Sequence, residues 1–346
     1  MSDDPFLRDL WYMAAEAASV KRGAMRREML LGEPILIGRM KDGRAFALRD
    51  ICPHRGVPLS AGKVMPESAV ECPYHGWRFK ADGQCSLIPS LVGGEAIKPE
   101  SIHVRSFPVR EQDGLIWIYM AAQGREAAAP ATSPPRVPIP NARPRWSESQ
   151  TFRCAIDHAV IGLMDPAHAP YVHGRWWWRV KPRVKEKRYA PLPTGFVMTR
   201  HAPTKAAYRL LGADVATEIT FELPSIRFEN ITGSFMGRPI AVTGLTTCTP
   251  IDEQTTQVTQ IFYWPAWLGF IKPFFWAMGP TFLGDDRRMV ELQREGLKFD
   301  PRLMLIQDAD MPAMWYHRLK KAWSDSTTTG ASFVNPLKET TLRWRS

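Results

Sequence analysis

Two short segments in the first third of the chain each place a cysteine next to a histidine. Cys52 precedes His54 by two positions. After 17 intervening residues comes Cys72, which precedes His75 by three positions. Two thiolates and two imidazoles can bind one tetrahedral zinc, or a two-iron cluster with cysteine on one iron and histidine on the other. One residue between Cys52 and His54 is fewer than a zinc-finger arm uses, which favours the cluster. Ordinary packing of the four residues in a core is the remaining alternative.

The wider pattern of these segments, CPHRG at 52–56 and CPYHGW at 72–77, resembles the Rieske [2Fe–2S] signature. The resemblance implies that Cys52 and Cys72 bind one iron and that His54 and His75 bind the other. The other cysteines have no partner at ligand spacing and are interpreted as buried thiols; they are Cys85, Cys154 and Cys248.

A second group of candidate ligands follows the pattern D-x2-H-x4-H and consists of Asp165, His168 and His173. Asp165 and His168 are three residues apart and would share one face of a helix. His168 and His173 differ by about 140° around an ideal helix, so the two rings converge only if the helix is interrupted, as Pro170 would allow. Two convergent histidines and one carboxylate form the triad that binds Fe(II) in non-haem oxygenases. Structural histidines are the alternative.

With both motifs, the resemblance covers nearly the whole chain, which is similar to the terminal oxygenase component of Rieske non-haem iron oxygenases, in their single-subunit monooxygenase and O-demethylase branch. It implies that His168 and His173 bind the catalytic iron. It also implies that Asp165 links His168 to His75 of a neighbouring subunit and serves as an electron-transfer bridge. Many relatives carry Asn three residues before this Asp, where this chain has Gly162.

The third iron ligand is sought among the C-terminal acids. Relatives with this chain length have an acidic pair, a Glu five residues after its second acid and a Gln two residues further on, and DDRRMVELQ at 285–293 fits that register. On a helix Asp286 shares a face with Met289, Val290 and Gln293. We therefore predict Asp286 as the ligand; the alternatives are Asp285, whose other role would be a helix N-cap, Asp308 and Asp310.

The elements that position these residues are predicted as two domains of the α+β class. Three Asp-Gly turns, beginning at residues 42, 82 and 113, predict an antiparallel β domain over 1–128. Six prolines between 130 and 144 predict an extended linker over 129–145. Strands followed by helices, 286–298 and 311–323, predict that 146–346 is a helix-grip-like catalytic domain in which helices pack on an antiparallel sheet.

Composition narrows the class of protein. With 346 residues, 45% hydrophobic and 23% charged, the chain can bury a sizeable core. The net charge of +10 does not by itself select nucleic acid, a membrane or an acidic protein as partner. The sequence shows no signal peptide or spanning segment, so we expect a cytoplasmic protein that contacts neither nucleic acid nor membrane.

Two aromatic segments have alternative interpretations. Segment 174–189 interleaves three tryptophans with seven basic residues; we interpret it as a solvated cover over the active site, with docking of an acidic electron donor as the alternative. The stretch 264–276 contains three tryptophans and three phenylalanines, and is interpreted as pocket wall and core rather than membrane anchor.

The function that the resemblance implies is oxygenation by O2 at a mononuclear Fe(II), with electrons from the Rieske cluster. No flavin or nicotinamide motif is evident, so NAD(P)H would act through a separate reductase, ferredoxin or both. We expect hydroxylation or oxidative demethylation of an aromatic acid or ether, by mono- or dioxygenation, in a head-to-tail homotrimer. The alternatives are a bulky apolar polycycle or lipid as substrate, or a Rieske electron carrier without oxygenase activity.

Overall fold

The computed structural model describes residues 4–94, 96–173, 183–203 and 213–346, so most of the basic tryptophan-rich segment lies outside the described residues. The chain divides into two compact units. One is Arg8–Arg136, and the other is Val137–Ser346 with the few residues before Arg8. The division falls inside the segment that the sequence predicts as a linker.

The unit Arg8–Arg136 consists of three small antiparallel sheets, with strand orders β1-β11-β10, β2-β3-β4-β9 and β5-β6-β7-β8. The three predicted Asp-Gly turns join β3 to β4, β7 to β8 and β10 to β11, and these hairpins are confirmed. The strands are β1 (Leu10–Glu16), β2 (Met25–Leu30), β3 (Glu33–Arg39), β4 (Ala45–Arg49), β5 (Lys63–Val64), β6 (Ala69–Glu71), β7 (Arg78–Lys80), β8 (Cys85–Leu87), β9 (Ser106–Phe107), β10 (Val109–Gln112) and β11 (Leu115–Met120).

The core of this unit reaches into both cysteine loops. Leu48 on β4 and Phe79 on β7 are fully buried in one cluster that also contains Cys52 and Cys72. The two loops therefore follow strands of two different sheets, β4 and β6, but both cysteines pack in the same core. Cys85 lies in the same cluster as a buried free thiol.

The second unit is built on one eight-stranded antiparallel sheet, in the order β12-β18-β17-β16-β15-β14-β13-β19. Helix α1 packs against β17 and β18 and also against α3 and α4, so helices cover the sheet around α1. This is the predicted α+β arrangement. The elements are β12 (Trp146–Phe152), α1 (Ile156–Met164), α2 (Ala169–Val172), β13 (Val184–Leu192), β14 (Gly195–His201), β15 (Ala213–Glu222), β16 (Ile226–Phe235), β17 (Arg238–Asp252), β18 (Thr255–Tyr263), α3 (Lys272–Leu297), α4 (Met311–Thr329) and β19 (Thr340–Arg345).

Helix α3 is longer than the sequence predicts. It begins at Lys272, not at Asp286, and Pro273 lies in its first turn. Proline is compatible with this position because the N–H groups of the first turn make no hydrogen bond within the helix. Pro280 lies inside the helix without ending it. Helix α4 begins at Met311 as predicted and ends at Gly330, whose φ of 74° is the left-handed conformation of a helix C-terminus. No helix among the described residues has the length and apolar character needed to cross a membrane.

Candidate metal centres

The two cysteine loops have the same backbone geometry. The carbonyl of Cys52 accepts the N–H of Gly56 at 2.8 Å, and the carbonyl of Cys72 accepts the N–H of Gly76 at 3.1 Å. Both glycines have a positive φ, 73° and 70°, which a residue with a Cβ adopts only with strain. Each loop therefore turns sharply just beyond its candidate ligands.

The four side chains at these loops lie at two depths. Cys52 and Cys72 are buried, and their histidines are exposed. The rings of His54 and His75 are 4.4 Å apart, and His54 also stacks on Trp77 at 4.7 Å and 7°. Burial raises the pKa of Cys52 to about 11, and the neighbouring Cys72 thiol acts in the same direction. Two adjacent buried thiolates therefore need a cation to stabilise them.

The spread of these four residues argues against one zinc ion. A tetrahedral zinc with bonds of about 2.0–2.3 Å holds its ligand atoms within about 4 Å of one another. Among the described residues, the ligand atoms that all lie within 4.8 Å of one another, close enough for one metal ion, belong to His168, His173 and Asp286 and not to the cysteine loops. Two buried sulfurs below two exposed imidazoles instead fit a [2Fe–2S] cluster with cysteine on the inner iron and histidine on the outer iron.

The second group of ligands is assembled from the ends of short elements. His168 and His173 flank the single helical turn α2, whose first turn contains Pro170. The predicted break at Pro170 is wrong: the chain leaves the helical conformation at His173, where ψ is 38°. Asp165 ends α1 in an extended conformation, so it does not share a helix with His168 as predicted. A turn brings them together, in which Asp165 Oδ1 accepts the Ala167 N–H at 2.7 Å.

Asp286 faces both histidines from α3. Its Oδ1 lies 3.2 Å from Nε2 of His173 and 3.5 Å from Nε2 of His168. His173 is only 2% exposed, and neither of its ring nitrogens makes a hydrogen bond. Phe282, one turn before Asp286, stacks on the His173 ring at 3.7 Å and fixes its plane. Buried imidazole nitrogens without a hydrogen-bond partner, converging on one carboxylate oxygen, fit a bound cation.

Each histidine has a second carboxylate on its outer nitrogen. Asp165 Oδ2 lies 3.6 Å from Nδ1 of His168, and Asp285 Oδ2 lies 3.7 Å from Nδ1 of His173. A carboxylate at Nδ1 favours the tautomer with the proton there, which directs the lone pair of Nε2 towards Asp286. Burial opposes protonation of His168, but Asp165 and Asp286 outweigh it and raise its pKa. The same negative charge favours a metal cation.

The competing aspartates lie elsewhere or have other contacts. Asp285 lies within α3 and faces the outer side of His173, so its alternative role as an N-cap is wrong. Asp308 accepts the Arg343 backbone N–H. Asp310 accepts the Ile306 N–H and precedes α4. The geometry thus brings Asp286 alone of the four candidates between the two Nε2 atoms.

A cavity of about 260 Å3 opens beside this group. The helix face predicted for Asp286 lines it, with Met289, Val290 and Gln293. Helix α1 contributes more of the remaining lining residues than any other element. They are Phe152, His158, Ala159, Ile161, Gly162, Leu163, Asp165, His168, Val172, Val258, Leu283, Ala309, Asp310, Pro312 and Ala313.

His158 is the cavity residue that the sequence does not identify as functional. It lies on α1 two turns before Asp165, and burial lowers its pKa, which leaves a neutral ring that can donate and accept hydrogen bonds. In the sequence, His158 is four residues before Gly162 and seven before Asp165, which is the spacing of one helical face. This spacing could have indicated that His158 lies near the predicted iron ligands. A Cβ at Gly162 would lie 3.6 Å from Val290, so the cavity wall there has room for a larger side chain.

Comparison with known proteins agrees with both the fold and the loops. Residues 10–108 match the family described as Rieske [2Fe-2S] domain. The oxygenase component of dicamba O-demethylase from Stenotrophomonas maltophilia is 36% identical over 185 residues, which are 49% of this chain and 48% of that protein. Chlorophyllide a oxygenase from Arabidopsis thaliana is 31% identical over 186 residues, 52% of this chain and 32% of that protein.

The whole chain resembles a solved structure. The crystal structure of dicamba monooxygenase bound to dicamba superposes with a TM-score of 0.68 at 24% identity, covering 94% of this chain and 98% of that one. The matched segments span about a third to a half of the curated relatives' length. The protein therefore contains a Rieske [2Fe–2S] domain, and its two units together have the fold of the Rieske non-haem iron oxygenases.

Proposed function

We propose that this protein is the terminal oxygenase component of a multicomponent Rieske oxygenase. The observation that carries the proposal is the placement of Asp286 Oδ1 between the Nε2 atoms of His168 and His173, beside a cavity, in a chain that also has a Rieske domain. When bound, the cluster supplies single electrons and the mononuclear iron uses them with O2 to oxygenate a substrate.

The residues around the triad would orient these ligands. Asp165 and Asp285 lie near the outer nitrogens of the two histidines, and Phe282 stacks on the His173 ring. These carboxylates favour the tautomer with the proton on Nδ1, which would leave the Nε2 lone pairs available to a metal.

The cavity favours a neutral aromatic ether over an aromatic acid. The described lining combines apolar side chains with His158, His168, Gln293 and the carboxylates of Asp165, Asp286 and Asp310, but has no lysine or arginine. A substrate carboxylate would meet the like charge of Asp165 and Asp310 with no described cationic side chain to pair with, whereas an ether or a ring can contact the apolar groups and the neutral His158. Oxidative demethylation of such an ether is the reaction we propose, and hydroxylation of a bulkier apolar polycycle is the second candidate.

Electron delivery would pass between subunits. Asp165 has one oxygen occupied by the Ala167 N–H and the other facing His168. We propose that a head-to-tail homotrimer places His75 of a neighbouring subunit at Asp165, so that the carboxylate joins the two imidazoles. The electrons would come from NAD(P)H through a separate reductase or ferredoxin.

Metal content and oxygen consumption test this function together. Protein purified without oxygen and supplied with iron and sulfide should hold about three irons per chain, two in the cluster and one in the triad. With a surrogate reductase and NADH, methoxylated aromatic compounds should stimulate O2 uptake and release formaldehyde. Two irons per chain and no substrate-dependent O2 uptake would identify a Rieske electron carrier instead.

A further inference from the structure

The second unit carries a cluster of exposed aromatic residues that no part of the proposed chemistry uses. The cluster occupies the β16–β17 turn and the chain that enters α3, and is here called the aromatic tip. It consists of the half-buried Phe235 and the exposed Met236, Trp267, Phe270, Phe274 and Trp276. Met236 is 88% exposed, Trp276 76%, Phe270 61% and Phe274 51%. The sequence prediction of pocket wall and core for the stretch 264–276 is therefore wrong for Trp267, Phe270, Phe274 and Trp276: they are exposed, and none of them lines the cavity.

Ring contacts join the two parts of the aromatic tip, and a buried core lies beneath them. Phe235 contacts the rings of Trp267 and Phe270 at 6.3 and 5.9 Å, which joins the hairpin to the chain before α3. Beneath them, Trp264 and Leu268 are buried in a core cluster with Trp146. Other side chains therefore form the core beneath the exposed rings, and the rings themselves lie outside it.

The charges around the aromatic tip indicate which class of partner it would bind. The segment 264–284 contains no Asp or Glu, and neither does 234–241. The two cations at the aromatic tip are Lys272, which is exposed, and Arg238, whose guanidinium lies 6.0 Å above the Trp267 ring. A second copy docked through the same face would set these cations against their equivalents. An anionic surface meets them favourably, and the whole chain adds a net charge of +10.

We propose that the aromatic tip docks on the surface of a bilayer containing anionic lipid. Tryptophan and phenylalanine enter the boundary between headgroups and acyl chains, and flanking cations bind the lipid phosphates. The sequence expectation of no membrane contact is replaced by this proposal. Asp286 lies ten residues after Trp276 on α3, about 15 Å along the helix, so docking would bring the cavity near substrates dissolved in lipid. Docking itself does not depend on the proposed oxygenase function.

Vesicle flotation of the full-length protein tests the proposal. Vesicles of equal parts phosphatidylglycerol and phosphatidylcholine should carry the protein to the top of a density gradient, and the double variant Phe270→Ser/Trp276→Ser should reduce the bound fraction at least tenfold. Lys272→Glu should weaken binding by a smaller factor, and more at low salt than at high salt. The matched control is Phe299→Ser/Met304→Ser, which removes two comparably exposed apolar side chains outside the aromatic tip and should leave flotation unchanged.

Three results would overturn the proposal. The wild-type protein could fail to float with anionic vesicles, or the control variant could lose binding as fully as the tip variant. Thirdly, the tip variant could change the oligomer mass measured by light scattering, which would assign this face to contacts between copies. Thermal unfolding checks that the serine variants stay folded, which their exposed positions lead us to expect.

Discussion

Nε2 of His173 lies 3.2 Å from Oδ1 of Asp286, although six strands separate their helices along the chain. This contact completes a triad in which every member comes from a helix or its end. We therefore expect Asp286→Ala to lower the iron content from about three to about two per chain and to abolish turnover. The Rieske optical spectrum should stay unchanged, because Asp286 is not in the Rieske domain.

Asp308→Ala is the matched control for that variant. Asp308 accepts a backbone N–H of Arg343 and does not face the histidines, so its loss should leave the triad iron in place. Iron analysis and O2 uptake measure both variants. If Asp308→Ala loses the iron and Asp286→Ala remains active, the assignment of the third ligand is wrong.

The Rieske loops lead to a prediction about the cluster. The purified protein should be red-brown, with the EPR spectrum of a cluster that has two histidines on one iron. His54→Cys should lower the reduction potential, because a thiolate donates more negative charge to the iron than a neutral imidazole. Protein-film voltammetry measures the shift. Colourless protein with one zinc per chain after anaerobic purification would contradict the cluster.

Asp165→Asn separates the charge of this residue from its structural role. Asparagine keeps the side-chain oxygen that accepts the Ala167 N–H, so the turn after α1 should persist. Both metal centres should remain filled, but turnover should fall by at least about tenfold, because the charge-assisted contact with His168 is lost. Single-turnover kinetics locate the defect in electron transfer. Unchanged turnover would remove Asp165 from the electron path.

Mixing two inactive variants tests whether electrons cross between subunits. Cys52→Ser should lack the cluster, and His168→Ala should lack the triad iron. In mixed oligomers, some intact clusters would face intact triads of a neighbour, so co-expression should restore part of the activity. Mixed oligomers that remain inactive would show that each chain supplies its own electrons.

The packing of α1 on α4 depends on one ion pair and one hydrogen bond. Asp157 accepts the Tyr316 hydroxyl at 2.7 Å and the Lys320 ammonium at 2.7 and 2.8 Å. Asp157→Ala should lower the free energy of unfolding by about 1–3 kcal/mol, since both donors are partly buried. The control Asp325→Ala breaks the exposed pair with Lys321 and should cost at most about 0.5 kcal/mol. Chemical denaturation compares the two.

The half-buried Glu222 should make the stability of the protein depend on pH. Burial raises the pKa of Glu222 above its usual value, and the hydrogen bond from Thr194 opposes this only in part. Its stabilising contribution is therefore present below the unfolded-state pKa and is lost as the pH rises through the folded-state pKa. Glu222→Gln should raise the denaturation midpoint at pH 7.5 and change it less at pH 4.5. An equal change at both pH values would contradict the shift.

The sequence by itself predicted candidate ligands for both centres. The four cluster ligands are close in sequence: Cys52, His54, Cys72 and His75. The backbone turns that they need are favoured by prolines and glycines within a few residues of them. The three hairpins of the Rieske domain were equally predictable, because Asp-Gly turns act over a few residues. The pair of histidines at 168 and 173 followed from the same kind of local spacing.

Tertiary structure alone decided how the distant residues combine. The sequence favoured Asp286 over Asp285 by resemblance, but its approach to both histidines depends on how α3 packs, since adjacent helical residues differ by about 100° in direction. Packing of the same helix on β12 and α1 buried Trp264 and left Trp276 exposed, although both are tryptophans in one apolar stretch. Which side of an element faces the core depends on its neighbours, and those neighbours are distant in sequence.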